Sequence, residues 1–286
     1  MPVADAQHRP ATALSRESTI LGALRSAGVR LGDTIMVHVN LASLGWEDDA
    51  ATHQALFRAL RTATGPDGTI VVPVYTFSFC RQELFDPAST PTMGGMWSPS
   101  AGFLEYFRQQ PGVARSGDPI HSVAALGPGA DALVADVAPT CFGDGSVFQR
   151  LVAADALIAM VGLGLDEATI RHHAEELAGA PFRYRKLFTG RVRQNGREQK
   201  RGWIYNVRIL ARAGYPDGTR FEAEALRTGI AQRIPIGQGA LVAARSKPLH
   251  DLTLRVLAED PWSTAQGPAG DPIALEQARV GGQLPA

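Results

Sequence analysis

Apolar runs punctuated by glycine and proline recur along the chain in an order that reads as α/β. Residues 15–27 set Ile20, Leu21 and Leu24 on one side of a helix closed by Gly28. A strand at 34–39, a helix at 48–63 ending in Gly-Pro-Asp-Gly, and an apolar strand at 69–75 follow. This βαβ order predicts parallel strands joined by a right-handed crossover. Residues 76–100 are rich in Pro, Gly, Thr and aromatics and have no period; so long an irregular segment inside a domain predicts a wall of a site. A short helix is expected at 103–109, a strand at 123–126, a helix at 130–137, and a turn with a short helix at 143–151. The run 156–165 is apolar on both faces, as suits a central strand covered on both sides.

Beyond Pro181, two strand-like runs flank Asn195-Gly196, a hairpin signal. A helix at 221–229, a turn and strand from Ile234, and a helix at 249–258 complete the pattern. The fold class is therefore α/β: a mixed, largely parallel central sheet flanked by helices, with an antiparallel hairpin added in the C-terminal part. A mobile tail at 1–14, a single domain at 15–260 and a loose tail at 261–286 are the expected divisions.

Polar chemistry is concentrated just after the 156–165 run, which ends in Gly162-Leu163-Gly164. A short helix should follow, with Asp166 as N-cap and Glu167 in its first turn. The carboxyl ends of strands in such sheets are where ligands usually bind. At about 100° per residue, Ile170, Ala174, Leu177 and Ala178 form an apolar stripe and His172 points away from it. Thr169, His172 and Glu175 are three apart and can touch along one strip. A carboxylate beside an imidazole raises its pKa and holds its ring, as a general base needs. His173 and Glu176 share that spacing, and periodicity only mildly favours the first pair. An exposed histidine with ordinary helix pairing accounts for the same pattern.

Composition removes several classes. At 286 residues, 45% apolar and 20% charged, the chain is that of a soluble globular protein. It has no apolar run near the ~18 residues of a membrane span and no signal-peptide core, so a cytoplasmic protein is expected. Cys80 and Cys141 lack metal spacing and read as buried free thiols, and no metal site is expected. The net charge of zero hides a separation: residues 1–180 carry −8, residues 181–220 carry +9 and the remainder −1. The basic block reads as a solvated hairpin or as a site for an anion; it lacks the aromatic interleaving of a nucleic-acid binder. Gly127-Pro128-Gly129-Ala130-Asp131-Ala132 fits the dinucleotide pattern weakly, since proline stiffens the turn and no acidic residue about 20 positions on ends a second strand. His38, in a strand, reads as a satisfied core histidine. Arg115, Ser116 and His121 lie in a loop that suits either a phosphate or pantetheine amide, or turn stabilisation.

Three ordered motifs then carry a resemblance. Val37-His38-Val39-Asn40-Leu41-Ala42-Ser43-Leu44-Gly45, the stretch from Arg115-Ser116 through Pro119 and His121-Ser122-Val123 to Gly127, and Thr169-Ile170-Arg171-His172-His173-Ala174-Glu175 resemble signatures of the aminoglycoside 3-N-acetyltransferase, or antibiotic N-acetyltransferase, family over about residues 15–260. The resemblance implies acetyl transfer from acetyl-CoA to an amine through a ternary complex, without metal. It makes His172, oriented by Glu175, the general base, and places Thr169 near the sulfur or the developing oxyanion. Asn40, Leu41, Ser43, Leu44 and Gly45, with Arg115, Ser116, His121, Ser122 and Val123, would hold coenzyme A. Asp166, Glu167 and Tyr75 would face the acceptor. The chain departs from the family at Asn40 (usually Ser), Val74 (commonly Thr), Asp118 (His) and Val147 (Pro).

The partners expected are coenzyme A, a small-molecule amine and a second copy in a homodimer, with neither nucleic acid nor membrane. If the basic block borders the acceptor site, the amine is neutral or anionic and the role biosynthetic; if not, an aminoglycoside-like cation suits the acidic part. The rivals are a nicotinamide-dependent oxidoreductase built on the Gly127 turn and a non-catalytic binding protein for coenzyme A or an antibiotic.

Overall fold

The computed structural model describes residues 13–93, 101–194, 196–210 and 212–267. Residues 1–12 of the expected tail, the end of the irregular segment at 94–100, Asn195 of the hairpin turn and residues 268–286 lie outside the described residues.

In chain order the elements are α1 (Ala13–Ser26), β1 (Thr34–Val39), α2 (Ala50–Thr64), β2 (Thr69–Pro73), β3 (Leu84–Phe85), α3 (Gly102–Arg108), β4 (Ala114–Arg115), β5 (Val123–Leu126), α4 (Ala130–Val134), α5 (Val147–Ala153), β6 (Leu157–Val161), α6 (Arg171–Leu177), β7 (Arg183–Gln194), β8 (Arg197–Arg208), α7 (Thr219–Arg227), β9 (Ala231–Ile236), β10 (Gly239–Arg245) and α8 (Ser246–Glu259). Seven strands form one sheet in the order β4-β5-β2-β1-β6-β10-β9, and β3-β7-β8 form a second. The larger sheet is mixed and flanked by helices, as the apolar pattern implied, but most of its strand pairs are antiparallel rather than parallel. Its parallel pairs are β1 with β2 and β1 with β6, and its other pairs are antiparallel.

Period-2 alternation fixes which face each central side chain serves. Ile35 and Val37 of β1, with Val72 and Ala159, pack beneath Leu24, Leu56, Leu60 and Phe107. Met36, Val71, Ile158 and Met160 face Phe148, Leu151, Leu249 and Leu252 on the other side. Burial on both faces explains why these strands read as continuous apolar runs. His38 continues the Met36 face at the carboxyl end of β1, opposite Met160 of β6. There Gly162 turns the chain at φ 72°, and a Cβ on it would lie 2.2 Å from the Asn40 carbonyl oxygen. The ends of β1 and β6 can approach so closely only around glycine.

The long hairpin β7-β8 packs Val192, Trp203, Phe188 and Tyr205 onto the same core as α8. Residues 261–267 are not loose as expected from the sequence: Thr264 is buried and its hydroxyl donates to Glu175 at 3.0 Å. The dinucleotide reading of Gly127 also meets a structural reason against it. A Cβ there would stand 2.2 Å from the Gly68 carbonyl oxygen, and Gly129 N–H donates to Thr69 at the amino end of β2. The glycines serve a tight packing contact, at the end of the sheet away from the ligand-binding end.

Candidate active site

The segment after β6 does not run straight into a helix. Leu165–Glu167 form a single 3-10 turn, and α6 begins at Arg171 with Ile170 as its uncapped N-terminus. Asp166 is therefore not the N-cap expected. Glu222 holds the segment by accepting the Leu165 N–H at 2.7 Å, and the Asp166 carbonyl is taken by the Arg171 guanidinium at 2.5 Å. Thr169 consequently precedes the helix and leaves the expected strip. Its hydroxyl instead meets His38 Nε2 at 3.2 Å.

His172 and Glu175 do pair as the spacing implied, with Nδ1 2.7 Å from Oε2. Arg183, the first residue of β7, donates Nε–H to the same carboxylate oxygen at 2.5 Å. Its Nη2 stands 2.7 Å from Nδ1 and 3.2 Å from Nε2 of His172. An atom in line with the Nδ1 lone pair would be far from Nε2, so the guanidinium lies over the face of the ring. Nδ1–H is then left to donate to Glu175, and the Nε2 lone pair is the basic position.

The electrostatics reverse the expectation that the carboxylate raises the imidazole pKa. Burial and then the Arg183 charge push His172 down to about 4, outweighing the opposing pull of Glu175. Burial alone would raise Glu175, but Arg183 and His172 hold it well below the usual carboxylate range. The imidazole is therefore neutral, and the carboxylate ionised, throughout the range in which a base must work. Phe142 covers the His172 ring edge-on at 5.1 Å, and His121 sits among Tyr75, Phe77, Phe142 and Tyr205.

His173 does not compete for this role. Its Nδ1 donates to the Phe142 carbonyl at 2.6 Å and its ring stacks on His250. Glu176 pairs with Arg185 rather than with His173.

A cavity of about 500 Å³ opens at the carboxyl ends of β1, β2 and β6. Val39, Leu41, Pro73, Phe77, Phe103 and Leu163 give it apolar walls, and His38, Asn40, Asp48, Tyr75, Glu167 and Thr169 supply polar groups. The sequence-predicted residues divide around it. Asn40, Leu41, Tyr75, Glu167 and Thr169 line the cavity. Leu44 is instead a core residue and Ser43 is exposed. Gly45 takes the left-handed turn that closes the short helical turn after β1. Asp166 lines a different cleft, beside Gly218 and Glu222.

The Arg115 to Val123 stretch resolves in favour of turn stabilisation. Arg115 donates to Ser122 Oγ at 3.1 Å, to the Val74 carbonyl at 2.7 Å and to the Thr90 carbonyl. Ser122 Oγ–H donates to Val74 O, and Ser116 Oγ accepts the Val123 N–H. Ser116, Ser122 and Val123 are fully buried and line no part of the cavity. Burial disfavours both thiolates, pushing half-buried Cys80 up to about 11 and raising buried Cys141 well above its ordinary value.

The family model described as aminoglycoside 3-N-acetyltransferase matches residues 36–258. The chain belongs to this family. Aminoglycoside N(3)-acetyltransferase IV of a Salmonella species is 28% identical over 257 residues, 89% of this chain and 92% of its own. Aminoglycoside N(3)-acetyltransferase VII of Streptomyces paromomycinus is 34% identical over 184 residues, 59% and 61% of the two chains. A histidine-to-alanine variant of aminoglycoside acetyltransferase AAC(3)-IVa in complex with a gentamicin superposes with a TM-score of 0.74, at 25% identity over 93% of this chain and 96% of that one. The binary complex of AAC-IIIb with CoASH has the same fold, with a TM-score of 0.74 at 24% identity over 92% and 99% of the two chains. Family membership removes the nicotinamide rival. Among the described residues no cluster of His, Cys, Asp and Glu could hold a metal, and no helix is long and apolar enough to cross a membrane.

Sequence reasoning passes over three residues of this N-acetyltransferase site. His38 reads as a core residue, Arg183 as one of many cations in the basic block, and Thr264 as part of a loose tail. For His38 a signal exists, since it lies near the end of a strand whose carboxyl end carries the ligand site. For Arg183 and Thr264 there is none, because Arg183 lies on the strand after the helix, where helical spacing no longer applies, and Thr264 acts across 89 residues.

Proposed function

We propose that the chain transfers the acetyl group of acetyl-CoA to an amine of an aminoglycoside-like acceptor, with His172 as general base and Glu175 as the group that orients it. The single observation carrying this is the His172–Glu175 pair with its Nδ1 engaged and burial favouring its neutral imidazole; neither residue lines the cavity, and Thr169, whose carbonyl accepts the His172 N–H, joins the pair to it. The cavity suits the pantetheine arm and thioester: apolar walls meet polar groups, one of which, the buried Thr92 hydroxyl, has no partner among the described residues and is available to an amide.

As the amine nitrogen attacks the thioester carbon, its proton passes to His172 Nε2 and negative charge gathers on the carbonyl oxygen. Collapse breaks the carbon–sulfur bond, and the thiolate takes that proton. An imidazolium held near 4 is a weak proton trap, so it returns the proton readily. Glu167 and Asp48 place carboxylates on the cavity, in keeping with a cationic acceptor.

The test is free-thiol release from acetyl-CoA with aminoglycosides, amino acids and neutral amino sugars. Release that depends on an aminoglycoside is expected. Release only with neutral or anionic amines would favour the biosynthetic role instead, and acetyl-CoA binding without release under any amine would favour a non-catalytic binder. The homodimer is tested separately by the mass of the protein in solution.

A further inference from the structure

The Thr169 hydroxyl is flanked by two groups that have no other employment. His38 is 5% exposed, its Nε2 lies 3.2 Å from Thr169 Oγ1 and its Nδ1 has no hydrogen-bond partner. The Tyr75 hydroxyl is also buried without a partner, and Thr169 lies close enough to offset part of its burial. All three residues line the cavity. A buried bare nitrogen is tolerated better than a buried N–H with nothing to receive it, so the partnerless Nδ1 is the one without the proton. His38 is then a neutral imidazole that donates Nε2–H to Thr169, a state that burial supports by holding it down to about 4. A threonine hydroxyl has one proton and two lone pairs.

We propose that His38 is a positioning residue that donates to one lone pair of the Thr169 hydroxyl, with Tyr75 beside it as the donor to the other once the acyl group is bound, so that the single proton of Thr169 points into the cavity and donates to the acyl carbonyl oxygen as it becomes an oxyanion. No bond to hydrogen is broken in this role. Two donors also polarise the hydroxyl and strengthen the bond it gives. The inference rests on the acetyl-transfer reading for its chemistry, whereas the tautomer it requires does not.

Two experiments test it. The first is kinetic. Removing one oxyanion donor costs about 10²-fold or more in kcat, so Thr169→Ala should lose about that much. Tyr75→Phe and His38→Ala should each lose about 10-fold in kcat with the KM for acetyl-CoA within about twofold, and His38→Gln, which keeps an N–H, should recover part of that loss. In the Thr169→Ala background neither change should cost more, because residues acting through one hydroxyl are not additive. Equal losses with and without Thr169, or losses carried by KM, would overturn the proposal. The second is nitrogen-15 NMR of histidine-labelled protein, which needs no turnover. His38 should carry its proton on Nε2 and its signals should move in Thr169→Val. A proton on Nδ1 would overturn the proposal, and an inactive wild type with the expected tautomer would implicate the acetyl-transfer reading alone.

Discussion

Replacing Arg183 by glutamine removes the cation lying on the His172 ring and keeps an N–H donor at about the position of Nε, which donates to Glu175. Guanidinium and imidazolium charges about 4 Å apart, at an effective dielectric of about 20, repel by about 4 kcal/mol. Since 1.36 kcal/mol changes a protonation equilibrium tenfold, Arg183 could by itself hold the His172 pKa down by as much as about three. Burial is nevertheless the larger cause and survives the substitution. The acid limb of kcat/KM should therefore rise from about 4 by one to two pH units. Glu175, no longer paired with Arg183, pulls in the same direction, while Arg171 still opposes protonation of His172. The assay is thiol release between pH 4 and 8, plotted as the ratio of variant to wild type, in which the titration of the acceptor amine cancels. The ratio should fall as pH drops below about 6, while Arg183→Lys, which keeps the charge, should give a flatter ratio. A flat ratio for Arg183→Gln, in protein that circular dichroism finds folded, would refute the assignment of Arg183 as the group that keeps the base neutral.

Further tests follow from the same geometry. His172→Ala should lower kcat by about 10² or more with acetyl-CoA affinity nearly intact, and His173→Ala much less; the reverse ranking would mean the wrong histidine was chosen. Arg115→Met should lower the urea midpoint while leaving the acetyl-CoA dissociation constant within about threefold, since its guanidinium is committed to Val74, Thr90 and Ser122. Gly162→Ala should cost about 2–5 kcal/mol in urea unfolding, the sum of left-handed strain and the clash with Asn40 O. Acid should weaken the fold early. His38 and His172 take up protons near 6.5 when unfolded but near 4 when folded, so their contribution is complete above 6.5 and lost as pH falls towards 4. The melting temperature read across that window should fall, and by less in His38→Gln.

How much of this was legible in the sequence depended on how local the cause was. β1 and β5 begin and end where the apolar pattern placed them, because burial on both faces writes itself into consecutive residues. The His172–Glu175 pair was legible for the same reason, being three residues apart on one helix. Thr169 shared that spacing and broke from it, since Arg171 and, from outside the window that periodicity samples, Glu222 restrain the preceding turn. The Arg115 motif was legible as a motif but not in its purpose. Arginine and serine near a strand suit a phosphate and a backbone carbonyl equally well, and only the position of Val74 decides between them.

Charge shows the same distinction between sequence and space. The block at 181–220 carries +9 along the chain, and on that count it would repel a polycation from any wall it formed. In three dimensions the hairpin lies against the acidic part: Arg185 meets Glu176, Arg193 meets Asp86, and Arg183 meets Glu175. None of the residues lining the cavity comes from 181–220, and Asp48 and Glu167 do line it. Among the described residues, the basic side chain in hydrogen-bonding contact with the His172–Glu175 pair is Arg183, and Glu175 neutralises it. With His172 neutral, the three side chains sum to zero. Buried Arg171 also acts on the pair, but it lies outside 181–220, so the basic block itself adds no net charge at His172 and ceases to argue against an aminoglycoside acceptor.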